Sequence, residues 1–370
     1  MSIKANYSSC TFKFDFDART SRGLMRDKKS WFIKVWDDTN PSIVGIGESG
    51  PLPGLSVEPV ATFEEKIKNV VDIINNNNIS LSAVNSVSLN ELNTLLSNLF
   101  SKEFLQQHSS ITFALETAFL DLKNGGSRLV FDNAFVKGKT IPINGLVWMG
   151  GLDFMLQQVA IKIYDGFTCI KLKVGGLDFE KECDILRYIR RKYYRENITL
   201  RLDANGAFKL DEALYKLEEL SKFKIHSIEQ PIKSGSGEMH LFCEKSPIPI
   251  ALDEELIGIV NKEEKIALLR QIKPRYLILK PTLHGGFFGC HEWIELAEAN
   301  SIGWWITSAL ESNIGLNAIA QFTSNYTIQL PQGLGTGGIY ANNIPSPLKV
   351  EKGFLSIDGS EQWDLTMLEA

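Results

Sequence analysis

The sequence lacks the patterns that would tie it to a disulfide framework or to a zinc-thiolate centre. Its five cysteines lie far apart and form no C-x-x-C pair, and its five histidines include no H-x-x-x-H pair. Closely spaced cysteines and histidines are what small disulfide scaffolds and structural zinc sites require. The pattern therefore argues against both classes of protein.

Long apolar runs and an excess of positive charge are also missing. No stretch reaches the roughly 18 uninterrupted apolar residues of a membrane helix, and residues 11–16 alternate apolar and polar side chains where a signal peptide would have an apolar core. The 39 Lys and Arg residues against 44 Asp and Glu residues give a net charge of −5, which argues against a dedicated nucleic-acid binder. We expect a cytoplasmic protein whose partners include neither membranes nor nucleic acids.

What is present is the composition of a folded globular protein, with 44% hydrophobic and 22% charged residues in a chain of 370. Residues 1–130 mix strand and helix patterns and predict an α+β domain. Alternating side chains predict strands near 10–17 and 31–37, and the Gly- and Pro-rich residues 45–56 predict a loop. Amphipathic patterns predict helices near 61–75, 88–100 and 111–123.

Residues 131–344 alternate short β-branched-rich runs with helix-length amphipathic segments. The predicted strands are Ile141–Val147, Ile170–Val174, Ile198–Asp203, Lys224–Glu229, Ile248–Asp253, Tyr276–Lys280, Gly303–Ser308 and Thr327–Gln332. The predicted helices include 178–195, 209–222, 260–271 and 287–300. This repeat fits a parallel (β/α)8 barrel, with an open doubly wound sheet as the alternative. Residues 348–357 predict a strand that returns to the N-terminal domain, so that segment 345–370 completes it.

Charged residues stand near the C-terminal ends of five successive predicted strands, where a buried parallel strand should be apolar. His284, four residues past Lys280, falls outside this pattern, and we expect it to be a loop residue without a chemical role. A solvated strand end or an ion pair would explain any one charge. The set as a whole favours an active site, because barrel enzymes carry their chemistry at this face. Its members are Lys171, Lys173, Asp203, Glu229, Asp253 and Lys280.

Three of these residues, Asp203, Glu229 and Asp253, lie on adjacent predicted strands and are suited to holding one hard cation. Three monodentate carboxylates with waters or substrate oxygens make an octahedral Mg2+ site, with Mn2+ possible. Lys173 and Lys280 flank the carboxylates on either side. This arrangement suits proton abstraction next to a substrate carboxylate, where the metal offsets negative charge and a lysine takes the proton.

Two later segments offer candidate substrate contacts. Ser308 ends the seventh predicted strand, and Ser312 and Asn313 begin a helix, where they are either plain N-caps or part of a carboxylate site; we favour substrate contact for Ser308. The Gly333–Gly338 loop matches G-x-G-x-x-G, but only 32 residues follow, too few for a nucleotide-binding unit. A glycine-rich loop around Gly335 that lets a substrate approach the backbone is the better interpretation.

Together the polar residues resemble the motifs of the enolase superfamily, in its muconate-lactonising subgroup. The resemblance covers nearly the whole chain and implies a (β/α)8 barrel with an N-terminal α+β capping domain, Mg2+ on three carboxylates and a lysine on each side. Residues 47–54 resemble the loop that closes over the substrate. The matches to the K-x-K, D-x-N, E, D-E and K motifs are, in order, Lys171-Leu172-Lys173, Asp203-Ala204-Asn205, Glu229, Asp253-Glu254 and Lys280.

The resemblance also implies an activity. Residues 51–56, 308–312 and 333–336 resemble those subgroup members that act in menaquinone biosynthesis. These enzymes dehydrate 2-succinyl-6-hydroxy-2,4-cyclohexadiene-1-carboxylate to an aromatic product. A small-molecule dicarboxylate is therefore the expected partner.

Roles for the side chains follow from the same resemblance. Lys173 would abstract the α-proton and protonate the departing hydroxide, while Lys280 on the opposite face would stabilise charge. The remaining polar residues would orient the metal ligands, as expected for Asn205 and Glu254, or would support Lys173 or contact the substrate carboxylate, as expected for Lys171 and Arg201.

Other activities of the same subgroup remain open at this point. An N-succinyl- or N-acylamino acid racemase, or a muconate-type cycloisomerase, would use the same two lysines. Dipeptide epimerases carry an Asp-x-Asp where this chain has residues 333–338, so an ammonium-bearing substrate is disfavoured. A non-catalytic barrel would be expected to have lost a carboxylate or a lysine, and none is missing.

Overall fold

The computed structural model describes residues 2–20, 23–85 and 87–369. The N-terminal part of the molecule begins with an antiparallel sheet. Its strands are β1 (Ile3–Thr20), β2 (Gly23–Asp37) and β3 (Asn40–Ser49), hydrogen-bonded in that order. The strands predicted near 10–17 and 31–37 are confirmed and are longer than predicted. Five helices follow: α1 (Phe63–Asn76), α2 (Leu81–Asn85), α3 (Leu89–Leu99), α4 (Lys102–Gln107) and α5 (Ser109–Lys123). We refer to β1–β3 and α1–α5 as the capping domain.

The loop predicted over residues 45–56 is wrong for its first five residues, because β3 runs through Ser49. Strand β3 lies against the buried helix α5, and the glycines permit this approach. A Cβ atom on Gly45 would stand 2.0 Å from the Ala118 carbonyl oxygen, and one on Gly47 would stand 1.8 Å from that of Ala114. These glycines therefore mark close packing of a helix on a strand and not a chain reversal.

A parallel sheet of seven strands forms the second part of the molecule, with helices between the strands. The strands, in their spatial order, are β5 (Gly145–Val147), β6 (Cys169–Lys173), β7 (Thr199–Asp203), β8 (Ser227–Glu229), β9 (Ile250–Leu252), β10 (Tyr276–Leu279) and β11 (Gly303–Ile306). The helices are α6 (Leu152–Tyr164), α7 (Phe179–Lys192), α8 (Leu210–Ser221), α9 (Met239–Lys245), α10 (Lys262–Ile272), α11 (Gly286–Ala299) and α12 (Asn313–Thr323). Seven of the eight predicted strands are thus present.

The eighth predicted strand, Thr327–Gln332, is not formed, and no continuous ladder closes the sheet within the described residues. Single bridges join Gly333 to Thr307 and Gln332 to Ile143 at the two open edges. Pro331 has no N–H to give to a ladder. The next residue, Gln332, donates its backbone N–H to the Pro142 carbonyl oxygen at 2.8 Å, and its side-chain oxygen accepts the N–H of Ile306 at 2.7 Å. Isolated backbone hydrogen bonds of Gln332 and Gly333, with one side-chain contact, therefore stand where a closed barrel would have an eighth strand.

The C-terminal residues 348–357, predicted as one strand that returns to the N-terminal domain, pair instead with each other and with the start of the second part of the molecule. Residues 348–357 form a hairpin of β12 (Leu348–Glu351) and β13 (Phe354–Ile357), and β13 pairs with β4 (Ile141–Pro142). Contact with the capping domain comes later, where the Cys10 thiol lies 3.3 Å from the Met367 carbonyl oxygen. Within the described residues, no helix is long and apolar enough to cross a membrane.

Candidate active site

The strand-end charges meet because the parallel strands are in register. Lys173 is paired with Asp203 across β6 and β7, and Asp203 with Glu229 across β7 and β8. Asp253 and Lys280 follow β9 and β10 directly. Side chains two residues apart on a strand point the same way, so the predicted set converges at one end of the sheet.

Lysine ammonium groups hold the three carboxylates in place. Lys171 Nζ lies 2.5 Å from Glu229 Oε2 and 3.0 Å from Asp203 Oδ2. Lys173 Nζ lies 3.1 Å from the same Asp203 oxygen. On the far side, Lys280 Nζ lies 2.5 Å from Asp253 Oδ2. The site is thus a largely buried cluster of three lysines and three carboxylates, with a lysine at each end.

Burial and neighbouring charges act on these groups in opposite directions. Burial raises the pKa of Glu229 to about 7, and the nearby Asp203 and Asp253 add to this effect despite the contact with Lys171. For Asp203, burial alone would raise the pKa, but the surrounding lysines outweigh it and hold the pKa well below its usual range. Burial alone would likewise lower the pKa of Lys171, yet the adjacent carboxylates raise it. Lys171 is therefore a firmly protonated group and a poor base.

Asn205 hydrogen-bonds both to Lys173 and to the loop after β9. Its side-chain oxygen accepts a hydrogen bond from Lys173 Nζ at 2.7 Å, and its nitrogen donates to Glu254 Oε1 at 3.1 Å. The Asn205 backbone is left-handed, with φ of 45°, and its N–H donates to Asp203 Oδ1 at 3.1 Å. The predicted supporting residues Asn205 and Glu254 are thus brought together with Lys173.

The side chains of Gln230 and His284 also shape the site, and neither was predicted to do so. Gln230 accepts the backbone N–H groups of Asp253 at 3.3 Å and Glu255 at 3.2 Å, which fixes the loop that bears Asp253. His284 is fully buried, and its Nδ1 accepts the backbone N–H of Lys280 at 3.0 Å. Burial lowers the pKa of His284 to about 3, so the ring is neutral. The sequence signal was available, because both side chains lie within four residues of a predicted site residue.

A cavity of about 750 Å³ opens above these groups and is lined by both parts of the molecule. Lys173 and Lys280 lie in its wall, as do the predicted substrate contacts Ser308 and Gly335. The Ser308 hydroxyl is 2.7 Å from the Thr336 hydroxyl. From the capping domain come mainly apolar side chains, among them Phe16, Met25, Leu52 and Leu55. The cavity therefore combines a charged floor with a largely apolar cover, as small-molecule sites commonly do.

Two groups for which the sequence leaves a carboxylate contact open lie elsewhere. Arg201 is fully buried outside the cavity lining, with its guanidinium carbon 3.9 Å from the Trp305 ring centroid and Nη1 donating to the Pro331 carbonyl oxygen at 2.8 Å. The start of α12 is already capped, because Glu48 accepts the N–H groups of Ser312 at 2.9 Å and Gly315 at 3.0 Å. These groups are therefore not positioned to bind a substrate carboxylate.

The residues fit a divalent metal by their chemistry, although they do not form a ready chelate. No group of three or more His, Cys, Asp or Glu side chains stands in chelating arrangement within the described residues, and each of the three carboxylates contacts a lysine ammonium group instead. Glu229 Oε1, however, is buried without a hydrogen-bond partner. A buried carboxylate oxygen with no donor is costly, and a hard cation between Glu229, Asp203 and Asp253 would satisfy it.

Comparison with known proteins shows the family of the chain. Residues 155–359 match the family described as Enolase C-terminal domain-like. The chain belongs to this enolase family. It is 42% identical over 378 residues to the o-succinylbenzoate synthase of Desulfotalea psychrophila, covering 96% of the chain and 99% of that protein.

Two solved structures have the same fold as this chain. The crystal structure of MenC from Desulfotalea psychrophila has a TM-score of 0.87 at 40% identity and covers 96% of this chain and 100% of that one. A dipeptide epimerase from Enterococcus faecalis, solved with Mg and a dipeptide, has a TM-score of 0.80 at 18% identity and covers 99% of both chains. At 18% identity the likeness to the epimerase concerns the fold alone.

Proposed function

We propose that the protein is an o-succinylbenzoate synthase. This lyase removes water from 2-succinyl-6-hydroxy-2,4-cyclohexadiene-1-carboxylate and yields 2-succinylbenzoate for menaquinone biosynthesis. The observation that carries the proposal is the 42% identity to the Desulfotalea psychrophila synthase over nearly the whole chain. The geometry supports it, because a lysine stands on each side of a carboxylate cluster beneath a cavity of small-molecule size.

Asp203, Glu229 and Asp253 would hold Mg2+, with Mn2+ as a possible substitute. The support is the oxygen-only donor set and the partnerless Glu229 oxygen. When bound, the metal would supply positive charge that offsets the negative charge developing on the substrate carboxylate. Magnesium is present in the structure of the Enterococcus faecalis epimerase, which has the same fold.

Lys173 would remove the proton from the carbon next to the carboxylate and then give that proton to the departing hydroxide, so that water leaves and the ring becomes aromatic. Lys173 lines the cavity and contacts one carboxylate and one amide oxygen. Lys171, held between two carboxylates, would keep them in position. Lys280, on the Asp253 side, would stabilise negative charge without transferring a proton.

The supporting roles are assigned by position. Asn205 and Glu254 would orient Lys173 and the loop after β9, as their hydrogen bonds indicate. Ser308 and Gly335 would form the wall against the substrate. Arg201 would brace the sheet interior against Trp305 and the closing segment at Pro331, which replaces the substrate contact suggested by the sequence.

An ultraviolet assay of the purified protein with the cyclohexadiene substrate tests the proposal. We expect conversion to the aromatic product in the presence of Mg2+ and its loss with EDTA. Racemisation of N-succinylamino acids, measured in parallel as deuterium uptake from solvent, is the comparison reaction. A folded, metal-loaded protein that exchanges the α-proton of these amino acids but does not dehydrate the cyclohexadiene would contradict the synthase assignment and favour a racemase.

A further inference from the structure

A two-residue turn at the rim of the cavity has all of its peptide groups engaged by buried side chains. The turn comprises Ala309 and Leu310, which follow Ser308 and line the cavity. The Ala309 N–H donates to Glu311 Oε2 at 2.8 Å, and the Leu310 N–H donates to Ser308 Oγ at 2.9 Å. Leu310 is left-handed, with φ of 62°. A branched residue in this conformation persists only where its surroundings hold it.

The two carbonyl groups of the turn are held by a lysine of the capping domain. Lys28, on β2, is buried, and its Nζ donates to the Leu310 carbonyl oxygen at 2.8 Å and lies 3.3 Å from that of Ala309. Gly50 leaves the space for this ammonium, because a Cβ atom there would stand 2.7 Å from Lys28 Nζ. Burial lowers the pKa of Lys28, while Glu48 and Glu311 act against that shift.

A second donor reaches the same carbonyl from the C-terminal side. Tyr340 Oη donates to the Leu310 carbonyl oxygen at 2.6 Å. The turn is thereby held between β2 of the capping domain and the segment that follows the glycine-rich loop. Ala309 also packs in one apolar cluster with Leu52 and Leu283, so the turn and the capping residues near Leu52 are in contact with the same cluster.

We propose that Lys28 is a positioning residue for substrate binding, which holds the Ala309–Leu310 turn so that Ser308 and the capping residues around Leu52 form one wall of the cavity. The inference rests on the proposed synthase function. Lys28 donates to backbone carbonyl groups of the turn, whereas Lys173 and Lys280 contact the carboxylates of the site. Its contribution is therefore expected in binding and not in the proton transfer.

Steady-state kinetics of Lys28→Met test this assignment. We expect KM to rise about tenfold while kcat changes by less than about threefold, which is the signature of lost uniform binding. Mg2+ affinity should be unchanged, since the carboxylates do not contact Lys28. Hydrogen exchange at the backbone of residues 308–312 should be faster in the variant.

Lys265→Met is the matched control. Lys265 is also a buried lysine, with Nζ 3.0 Å from the Gly289 carbonyl oxygen and 2.9 Å from Glu292 Oε2, but it does not line the cavity. Its loss should lower thermal stability and leave both KM and exchange at residues 308–312 unchanged. A general effect of losing a buried lysine would alter both variants alike.

Tyr340→Phe gives an independent variant that acts on the same carbonyl and is expected to raise KM in the same direction. In the double variant the effects of Lys28→Met and Tyr340→Phe should not multiply, because both bonds end on one oxygen. Fully multiplicative effects, or a KM for Lys28→Met equal to that of Lys265→Met, would overturn the inference. Unchanged exchange at residues 308–312 would overturn it whatever the substrate, whereas absence of turnover in the unmodified enzyme would instead overturn the proposed function.

Discussion

At the scale of single residues, the two neighbouring lysines of β6 are distinguished by their partners. Lys171 lies between Glu229 and Asp203, whose charges raise its pKa. Lys173 contacts Asp203 and the amide oxygen of Asn205. A firmly protonated Lys171 is unsuited to act as a base, which is consistent with the proposed role of Lys173.

Replacing Lys173 with methionine should reduce dehydration by about 100- to 10,000-fold, because that is the usual contribution of a general base. The rate is measured in the ultraviolet assay, with circular dichroism to establish that the variant folds. Lys162→Met is the control, since Lys162 also lines the cavity but lies over the Phe167 ring. A Lys173→Met enzyme with activity within tenfold of the wild type would exclude Lys173 as the base.

Glu229→Gln should weaken Mg2+ binding at least about tenfold, because even residues that only support a metal ligand commonly contribute that much. Glu229 has a buried oxygen without a donor, which the variant would replace with a neutral amide. Isothermal titration calorimetry gives the affinity. Glu116→Gln alters an equally buried carboxylate that lies against α11 and should bind Mg2+ as the wild type does. Equal affinities in the two variants would show that the metal lies elsewhere.

At the scale of elements, glycine occurs both in turns and where a helix packs closely on a strand, and only the tertiary packing distinguishes the two cases. Glycines at 45 and 47 were interpreted as loop residues because glycine and proline are frequent in turns. In the structure they lie within β3, at the points where α5 passes closest. Sequence spacing cannot reveal such an approach, because the helix that requires it begins more than 60 residues later.

Gly47→Ala should therefore lower the free energy of unfolding by about 1–3 kcal/mol, the usual cost of overpacking. The added methyl would stand 1.8 Å from the Ala114 carbonyl oxygen, so β3 and α5 would have to separate. Urea denaturation measures the change. Gly359→Ala is the control, because no atom lies within 4 Å of its added Cβ. Equal stability of the two variants would contradict the close approach of β3 and α5.

At the scale of the whole molecule, two buried carboxylates of the capping domain contact helices that follow strands of the parallel sheet. Glu48 caps the start of α12, and Glu116 accepts the backbone N–H groups of Phe287 and Phe288 in the first turn of α11. These helices follow the strands that lead to Lys280 and Ser308. The relative position of the two parts of the molecule is thus linked to the walls of the site.

Glu116 should make stability depend on pH. Burial raises its pKa to about 8 in the folded protein, from an ordinary value of 4.5. A carboxyl that holds its proton more tightly when folded contributes stability below pH 4.5, and this contribution is lost as pH rises toward 8. Each tenfold change in its acid constant is worth about 1.4 kcal/mol.

Urea denaturation of wild type and Glu116→Gln between pH 5 and pH 8.5 measures this effect. The wild type should lose more stability over the range than the variant, whose amide does not titrate. Other buried carboxyls, such as Glu58 with a pKa raised by burial to about 7, are present in both proteins and cancel in the comparison. Parallel stability curves would show that Glu116 does not titrate in this range.

Much of the site could be predicted from the chain alone, because its signal is local. A charge at the end of an apolar run marks a strand tip, and parallel strands bring their tips together. Asp203, Glu229 and Asp253 were identified in this way, as were Lys173 and Lys280. The regular spacing of apolar runs along the chain likewise predicted eight parallel strands, of which seven are formed in the described residues.

Tertiary structure alone decided the features that join distant residues. The hydrogen bond of Gln332 to the edge of the open sheet, the burial of Arg201 against Trp305, and the capping of α12 by Glu48 each join segments that are far apart in sequence. The sequence by itself determined which side chains stand at the strand tips, because strand alternation and parallel register are local rules. It did not determine which backbone groups the buried side chains hydrogen-bond to, because that depends on how the capping domain packs against the parallel sheet.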